Sequence, residues 1–181
     1  MDKRGADEHL VRSWHAWAFR LALFLTGDRE RAADLAQDAL VKALVRRPPD
    51  LAEEAFGSWL RTVMVRLQID HGRRLVREIA ALKRWAPLHG EPHADPEPED
   101  RSPLLAALAK LSPRQRACIV LRYLDDLSEE QVAGELGLRL GTVKAHLARG
   151  REALRGTLSG TRGFAPASDA RNPLGPPETS P

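Results

Sequence analysis

The sequence is short of cysteine: Cys118 is the single one among 181 residues. One thiol excludes an intramolecular disulfide and any cysteine-rich zinc site. Aromatic residues are also scarce, 5% against a hydrophobic content of 43%, so aliphatic helix packing has to supply the core. No run of Val, Ile, Thr and aromatics alternates for more than a few residues, which removes the usual strand signal. No stretch approaches the apolar run of about 20 residues needed to span a bilayer. The start, MDKRGADEHL, lacks the apolar centre of a signal peptide. These absences predict a protein of a reducing cytoplasm with no membrane insertion. Clustered carboxylates, a nucleophile constellation and a phosphate-cradling glycine loop are missing too, so nothing points to an enzyme. His89, His93 and His146 have no partnering cysteines or carboxylate pattern, so neither a metal nor another cofactor is expected.

What is present is charge, unevenly placed. Residues 1–86 hold 16 Lys and Arg against 12 Asp and Glu, and 87–103 hold 1 against 5. Residues 104–158 hold 9 against 6, and the remainder is balanced. Two basic blocks separated by an acidic spacer suit a nucleic-acid partner. Arginine outnumbers lysine 23 to 5, which reflects a GC-rich coding sequence and says nothing of function.

Helical periodicity runs through both basic blocks. Between 8 and 25, Leu10, Trp14, Trp17, Ala18, Leu21 and Leu25 recur by threes and fours on one face. Thr26-Gly27-Asp28 should end that helix, with Asp28 capping the next. From about Arg29 to Val45, the core side is Ala32, Leu35, Ala36, Ala39, Leu40, Ala43 and Leu44, with Asp34, Gln37, Asp38 and Val41 turned away. Arg46 to Asp50, RRPPD, stops it, because proline cannot continue the hydrogen-bond ladder. A third helix starts near Glu53, burying Phe56, Trp59, Leu60, Val63, Leu67 and Ile69 or Asp70, with Gly72 as its expected weak point. Its later part, 66–84, carries six basic residues against Asp70 and Glu78.

Residues 87–103, with five prolines and five acids, read as a linker. Beyond it, Ser112-Pro113-Arg114-Gln115 is a helix start, with Ser as cap, Pro at the first position and Gln at the third. Ser128 and Gln131 repeat the logic. The polar, proline-rich segment from 159 to 181 reads as disordered.

Ser128 to Arg155 has the build of a helix-turn-helix. Ala133 lets two helices approach, Gly137 accepts a left-handed turn, and Val143 packs beneath the second helix. Thr142, Lys144, Ala145, His146, Arg149 and Arg151 then lie on or near its exposed side. The bland alternative is an amphipathic hairpin with a solvated charged face; paired caps, turn glycine and charge density favour DNA. A conventional regulator binding duplex operators with a helical sensory domain is the competing function.

Taken together, LALFLTGDRERAADLAQDALVKAL, WLRTVMVRLQIDHGRR, the acidic linker and LSPRQRACIVLRYLDDLSEEQVAGELGLRLGTVKAHLARGREALR resemble the extracytoplasmic-function group of bacterial sigma-70 factors. The resemblance implies an all-α fold of two small helical domains joined by a flexible, Pro-rich acidic linker. Residues 8–84 would be region 2, 85–103 the linker, and 104–158 region 4, a winged-helix-like helix-turn-helix, with 159–181 a disordered tail. It implies promoter-specific initiation by binding core RNA polymerase, through its β′ clamp helices and β flap. It further implies contact with promoter DNA, control by an anti-sigma factor, and a cytoplasmic, nucleoid-associated location. By position, Asp34, Leu35, Gln37 and Asp38 would bind core polymerase. Arg61, Arg66, Asp70, His71, Arg73 and Arg74 would contact the −10 element, and Thr142, Lys144, Ala145, His146, Arg149 and Arg151 the −35 element. The family usually carries asparagine at the position of Arg66 and Ser-Arg at Ala145-His146, so altered promoter preference is expected.

Overall fold

A computed structural model of the chain describes residues 3–85 and 102–158. The linker and tail expected from the sequence, with His89 and His93, fall outside the described residues. Seven helices make up the described part: α1 (Lys3–Thr26), α2 (Arg29–Arg46), α3 (Glu53–Trp85), α4 (Pro103–Ala109), α5 (Pro113–Tyr123), α6 (Glu129–Leu136) and α7 (Leu140–Leu158). The fold is all-α. No strand occurs among the described residues, so the likeness to a winged helix stops at the helix pair.

Helices α1 to α3 form the first module. Trp14, Trp17, Ala18, Leu21, Ala22 and Leu25 bury one stripe of α1, the face that 3.6-residue periodicity requires. Trp14 meets Trp17 and Phe56 edge-to-face, at centroid distances of 5.3 and 5.1 Å. The inner face of α2 is mostly alanine (Ala32, Ala36, Ala39, Ala43) with Leu35 and Leu40; small side chains let α2 lie close along α1. Between the two, Gly27 adopts φ +70°, and a Cβ there would come within 2.8 Å of the Ala109 Cβ. Both facts require glycine. Asp28 caps α2 by accepting from the Arg31 N–H at 2.9 Å.

The inboard half of α3 is buried through Phe56, Leu60, Met64, Val65 and Leu67. Gly72 is no weak point. The helix runs unbroken to Trp85, and a Cβ at Gly72 would sit 2.6 Å from Pro113: the glycine marks a close approach of α5. Leu44, expected in the core, is exposed, because α2 turns that side away from α1 and α3.

The second module is α4 to α7. Capping boxes at Ser112–Gln115 and Ser128–Gln131 start α5 and α6, as their sequence signals predict. Gly137 closes α6 at φ +60°, the left-handed turn of the helix pair. Val132, Val143 and Leu147 are buried beneath it, and Ala133 packs against the same cluster. Gly150 of α7 lies against α5, where a Cβ would meet Ile119 Cγ1 at 2.8 Å. Replacing Gly150 by valine is therefore expected to destabilise by about 2 kcal/mol through overpacking. Gly134→Ala, in open space, should stabilise by about 0.5–1 kcal/mol. Paired urea titrations check both signs.

The two modules pack against each other, α1 on α4 and α5, and α3 on α5 and α6. Their buried side chains form one continuous cluster. Arg116 joins them. Its guanidinium donates to the carbonyls of Leu25 (3.0 Å) and Thr26 at the end of α1, and to those of Ala109 (2.7 Å) and Leu111 (3.0 Å). Carbonyls at a helix end have no intrahelical partner, and a buried arginine fork supplies one.

Candidate nucleic-acid interface

Three surfaces carry the residues singled out in the sequence. On α2, Asp34, Gln37 and Asp38 are exposed on the side away from the core. Leu35 is 1% exposed; it holds the helix in place from within and presents nothing to a partner. Continuing the outer stripe by threes and fours, Val41 is 52% and Val45 76% exposed. An acidic and polar patch thus runs into two bare valines. Helical periodicity turns Val41 outward and places Val45 at the end of the helix, but nothing in the sequence marks either for a role.

On α3, Arg66, Asp70, His71, Arg73 and Arg74 are exposed. Arg73 and Asp70 are 3.6 Å apart, and Arg74 pairs with Glu78 at 2.8 Å. His71 Nε2 stands 4.0 Å from Asp38 Oδ2, bringing the α2 and α3 surfaces side by side. Exposed pairs of this kind contribute little to stability, about 0.3–0.5 kcal/mol each, so these guanidinium groups stay available to phosphates. Arg61 differs. It forms an ion pair with Asp125 and lies 3.6 Å from Glu135, facing the second module. Next to it, Thr62 Oγ1 donates to Glu135 Oε2.

On α7, Lys144, Ala145, Arg149 and Arg151 are exposed, and Thr142 and His146 are half-buried. Lys144 lies 3.9 Å from Glu129, and an Arg151 Nη donates to the Tyr123 hydroxyl at 3.3 Å. Arg149 Nε rests on its own helix, donating to the Ala145 carbonyl at 3.2 Å. His146 is on the opposite flank, in a cavity of about 1050 Å³ between the modules. That cavity gathers Asp70, His71, Arg73 and Arg74 of α3 with Lys42, Arg77, Arg114 and His146. Burial, then Arg149 and Arg114, hold the His146 imidazole below its usual value, since a further cation here would be repelled.

Burial also shifts two groups inside the protein. Burial pushes the Cys118 thiol up to about 11, which makes it a packing residue and not a nucleophile. Burial also pushes the Asp125 carboxyl up to about 6, against the pull of Arg61 and with added repulsion from Glu135. Among the described residues no group of three or more His, Cys, Asp or Glu could hold a metal. No described helix is long and apolar enough to cross a membrane.

Comparison with known proteins explains why these surfaces share one chain. Residues 10–78 match the family model for sigma-70 region 2, and residues 101–154 that for sigma-70, region 4. The ECF RNA polymerase sigma factor SigL of Mycobacterium tuberculosis is 34% identical over 157 residues, covering 84% of this chain and 85% of SigL. The chain belongs to the extracytoplasmic-function sigma factors of the sigma-70 family. SigW of Bacillus subtilis is 30% identical over 76% of this chain and 80% of its own length. SigE of Mycolicibacterium smegmatis is 33% identical over 84% of this chain, which spans 61% of that relative. The fold resembles that of the sigma factor RpoE from Bartonella quintana, solved in complex with the anti-sigma factor NepR. The TM-score is 0.60 at 24% identity, covering 86% of this chain and 98% of that one. The region 2 match thus falls on α1 to α3 and the region 4 match on α4 to α7.

Residues that the sequence reading overlooked are those between the modules. Arg116, Asp125 and Glu135 each look like an ordinary surface charge in sequence. The first-module partners of Glu135 and Arg116 lie 73 to 91 residues away, beyond any local pattern.

Proposed function

We propose that this sigma factor docks on core RNA polymerase through the outer face of α2, captures the −10 strand with the outboard half of α3, and reads the −35 element with α7. The observation that carries this is the α2 stripe. Acids and Gln37 stand beside bare valines on a helix whose other face is fully buried, a surface suited to a basic partner helix with an apolar seam. Arg66, His71, Arg73 and Arg74 supply phosphate neutralisation next to it. Ala145 and Arg149 present the base-reading edge of α7, with Thr142, Lys144, His146 and Arg151 at its borders.

On this reading the chain has no catalysis of its own. Melting follows from tighter binding of the opened strand than of the duplex, which shifts the population toward the open form. Control by an anti-sigma factor fits the complex in which the Bartonella quintana relative was solved, and a cytoplasmic, nucleoid-associated location follows from the partners. Purified factor added to core polymerase should give promoter-dependent transcripts; no association with core would overturn the proposal. Gln37→Ala should weaken core binding about 5-fold, the loss of one interfacial hydrogen bond of about 1 kcal/mol, while region 4 stays folded. Unchanged affinity in a pull-down would move the docking face elsewhere.

A further inference from the structure

The cavity that His146 shares with α3 is charged with one sign. Lys42, Arg73, Arg74, Arg77 and Arg114 line it against a single carboxylate, Asp70. An adjoining recess of about 250 Å³ shares Asp70, Arg73 and Arg114 with it and adds Arg66. Local pairing leaves this excess standing. Asp70 lies 3.6 Å from Arg73, and Glu78 takes Arg74 at 2.8 Å. Arg77 Nε finds only the Arg73 carbonyl of its own helix, at 3.3 Å. Lys42 and Arg114 are half-buried and, among the described residues, have neither a hydrogen bond nor an ion pair. Long cationic side chains ordinarily carry their heads out to water, yet these two bring theirs to the same recess from α2 and α5. The His146 imidazole registers the resulting field: after burial, Arg149 and Arg114 are what hold it below its ordinary value.

The proposed promoter and polymerase contacts do not use Lys42, Arg77 or Arg114. A counter-anion for them has to fit a cavity of about 1050 Å³, the size of a small-molecule site at about 300–1,000 Å³. A single phosphate would leave most of that space empty. A duplex, whose major groove alone is about 12 Å wide, is too broad to enter. Guanidinium groups on α3 and α5 can each fork onto phosphate oxygens. The first turn of α5 lines the same space, and the positive end of its dipole adds to the field. Leu67, Ile69 and Pro113 contribute an apolar stretch of wall, against which a planar ring can lie. Several linked phosphates with a flat apolar ring at one end satisfy both halves of this lining.

We infer that the recess binds a nucleoside polyphosphate, its phosphates on Arg74, Arg77 and Arg114 and its base against Leu67, Ile69 and Pro113. Arg73 and Arg74 also belong to the surface read as holding the −10 strand, so the bound ligand would compete with that strand. The competition rests on the proposed function; the binding itself does not.

The test is calorimetric titration of the full chain, free of polymerase, with ATP, inorganic pyrophosphate and adenosine as probes. ATP should bind one to one, pyrophosphate about 5-fold more weakly for want of the base, and adenosine not measurably. R77Q and R114Q should each weaken ATP about 10-fold, the loss of a charge-assisted contact. R31Q, at the far end of α2, removes the same charge and should change nothing. Absence of ATP binding, or an equal loss in all three variants, would overturn the site. Pyrophosphate binding as tightly as ATP would overturn the nucleoside. Should R114Q fail to fold, photo-crosslinking of the wild-type protein with 8-azido-ATP decides the matter. Labelled peptides should contain residues 67–77 or 112–114, and labelling elsewhere would overturn the site. A labelled single strand of about 20 nucleotides, bound to the factor, should be released by ATP and not by adenosine. Strand binding indifferent to saturating ATP overturns the competition. Failure of the protein to bind core polymerase would sink the proposed function, and the calorimetry would still decide the site.

Discussion

Replacing Arg116 by methionine is expected to lower the unfolding free energy by about 3–5 kcal/mol. Methionine fills much of the same volume but offers no donor. Four carbonyls, those of Leu25, Thr26, Ala109 and Leu111, would lose the guanidinium they share. Each buried acceptor left without a partner costs about 1–3 kcal/mol, and partial relaxation keeps the total below the simple sum. The positive charge at the C-terminal end of α1 also complements that helix's dipole, a further contribution of up to about 1 kcal/mol. Arg116→Lys should recover only part of the loss, since an ammonium is a point donor and cannot fork between two pairs of carbonyls. Urea titration followed by tryptophan fluorescence measures this, because Trp14 and Trp17 sit in the core that Arg116 abuts. A loss below about 1 kcal/mol would mean that water replaces the guanidinium without strain.

Arg149→Ala is expected to reduce −35-dependent initiation about 10-fold while leaving core affinity unchanged. The side chain is exposed beside Ala145, and its only described hydrogen bond is to a carbonyl of its own helix, so removal disturbs no packing. A single arginine contact to DNA is worth about 1–3 kcal/mol, and a tenfold loss lies inside that range. The salt dependence identifies what Arg149 touches. If it meets a phosphate, the slope of log affinity against log salt falls by about one and all promoters suffer alike. If it meets a base edge, discrimination at one position relaxes instead. Initiation indifferent to the change would place the reading face of α7 on its other flank, with Lys144 and Arg151.

What could be read from the sequence is what one turn of helix encodes. Ser112 with Gln115, Ser128 with Gln131, and Gly137 each act within three or four residues, and all five do in the fold what their types require. The tryptophan stripe of α1 is legible for the same reason. Leu44 went astray because a seven-residue core stripe on α2 is wider than the face that α1 and α3 cover. In sequence Gly72 looks like a helix weakness, whereas its lack of a side chain serves a neighbour 41 positions on, Pro113. The α2 surface was legible as a face, but not how far it extends past Val41. Arg61 could be placed on DNA by resemblance, yet its present partners belong to another module, and no periodicity links position 61 to 125 or 135.

The outboard half of α3 has one further consequence. Past Gly72, which lies against Pro113, the residues whose burial is described are exposed, and the next turns are held by their own backbone ladder and exposed ion pairs such as Arg74 with Glu78. Its opening free energy is therefore local and declines toward the helix end, independently of the cooperative unit formed by α1, α2 and the inboard half. Such an arm can bend, lengthen its register or lose a turn to follow a distorted strand at almost no cost to the body that carries it. Induced fit at the promoter is thereby confined to one cantilever.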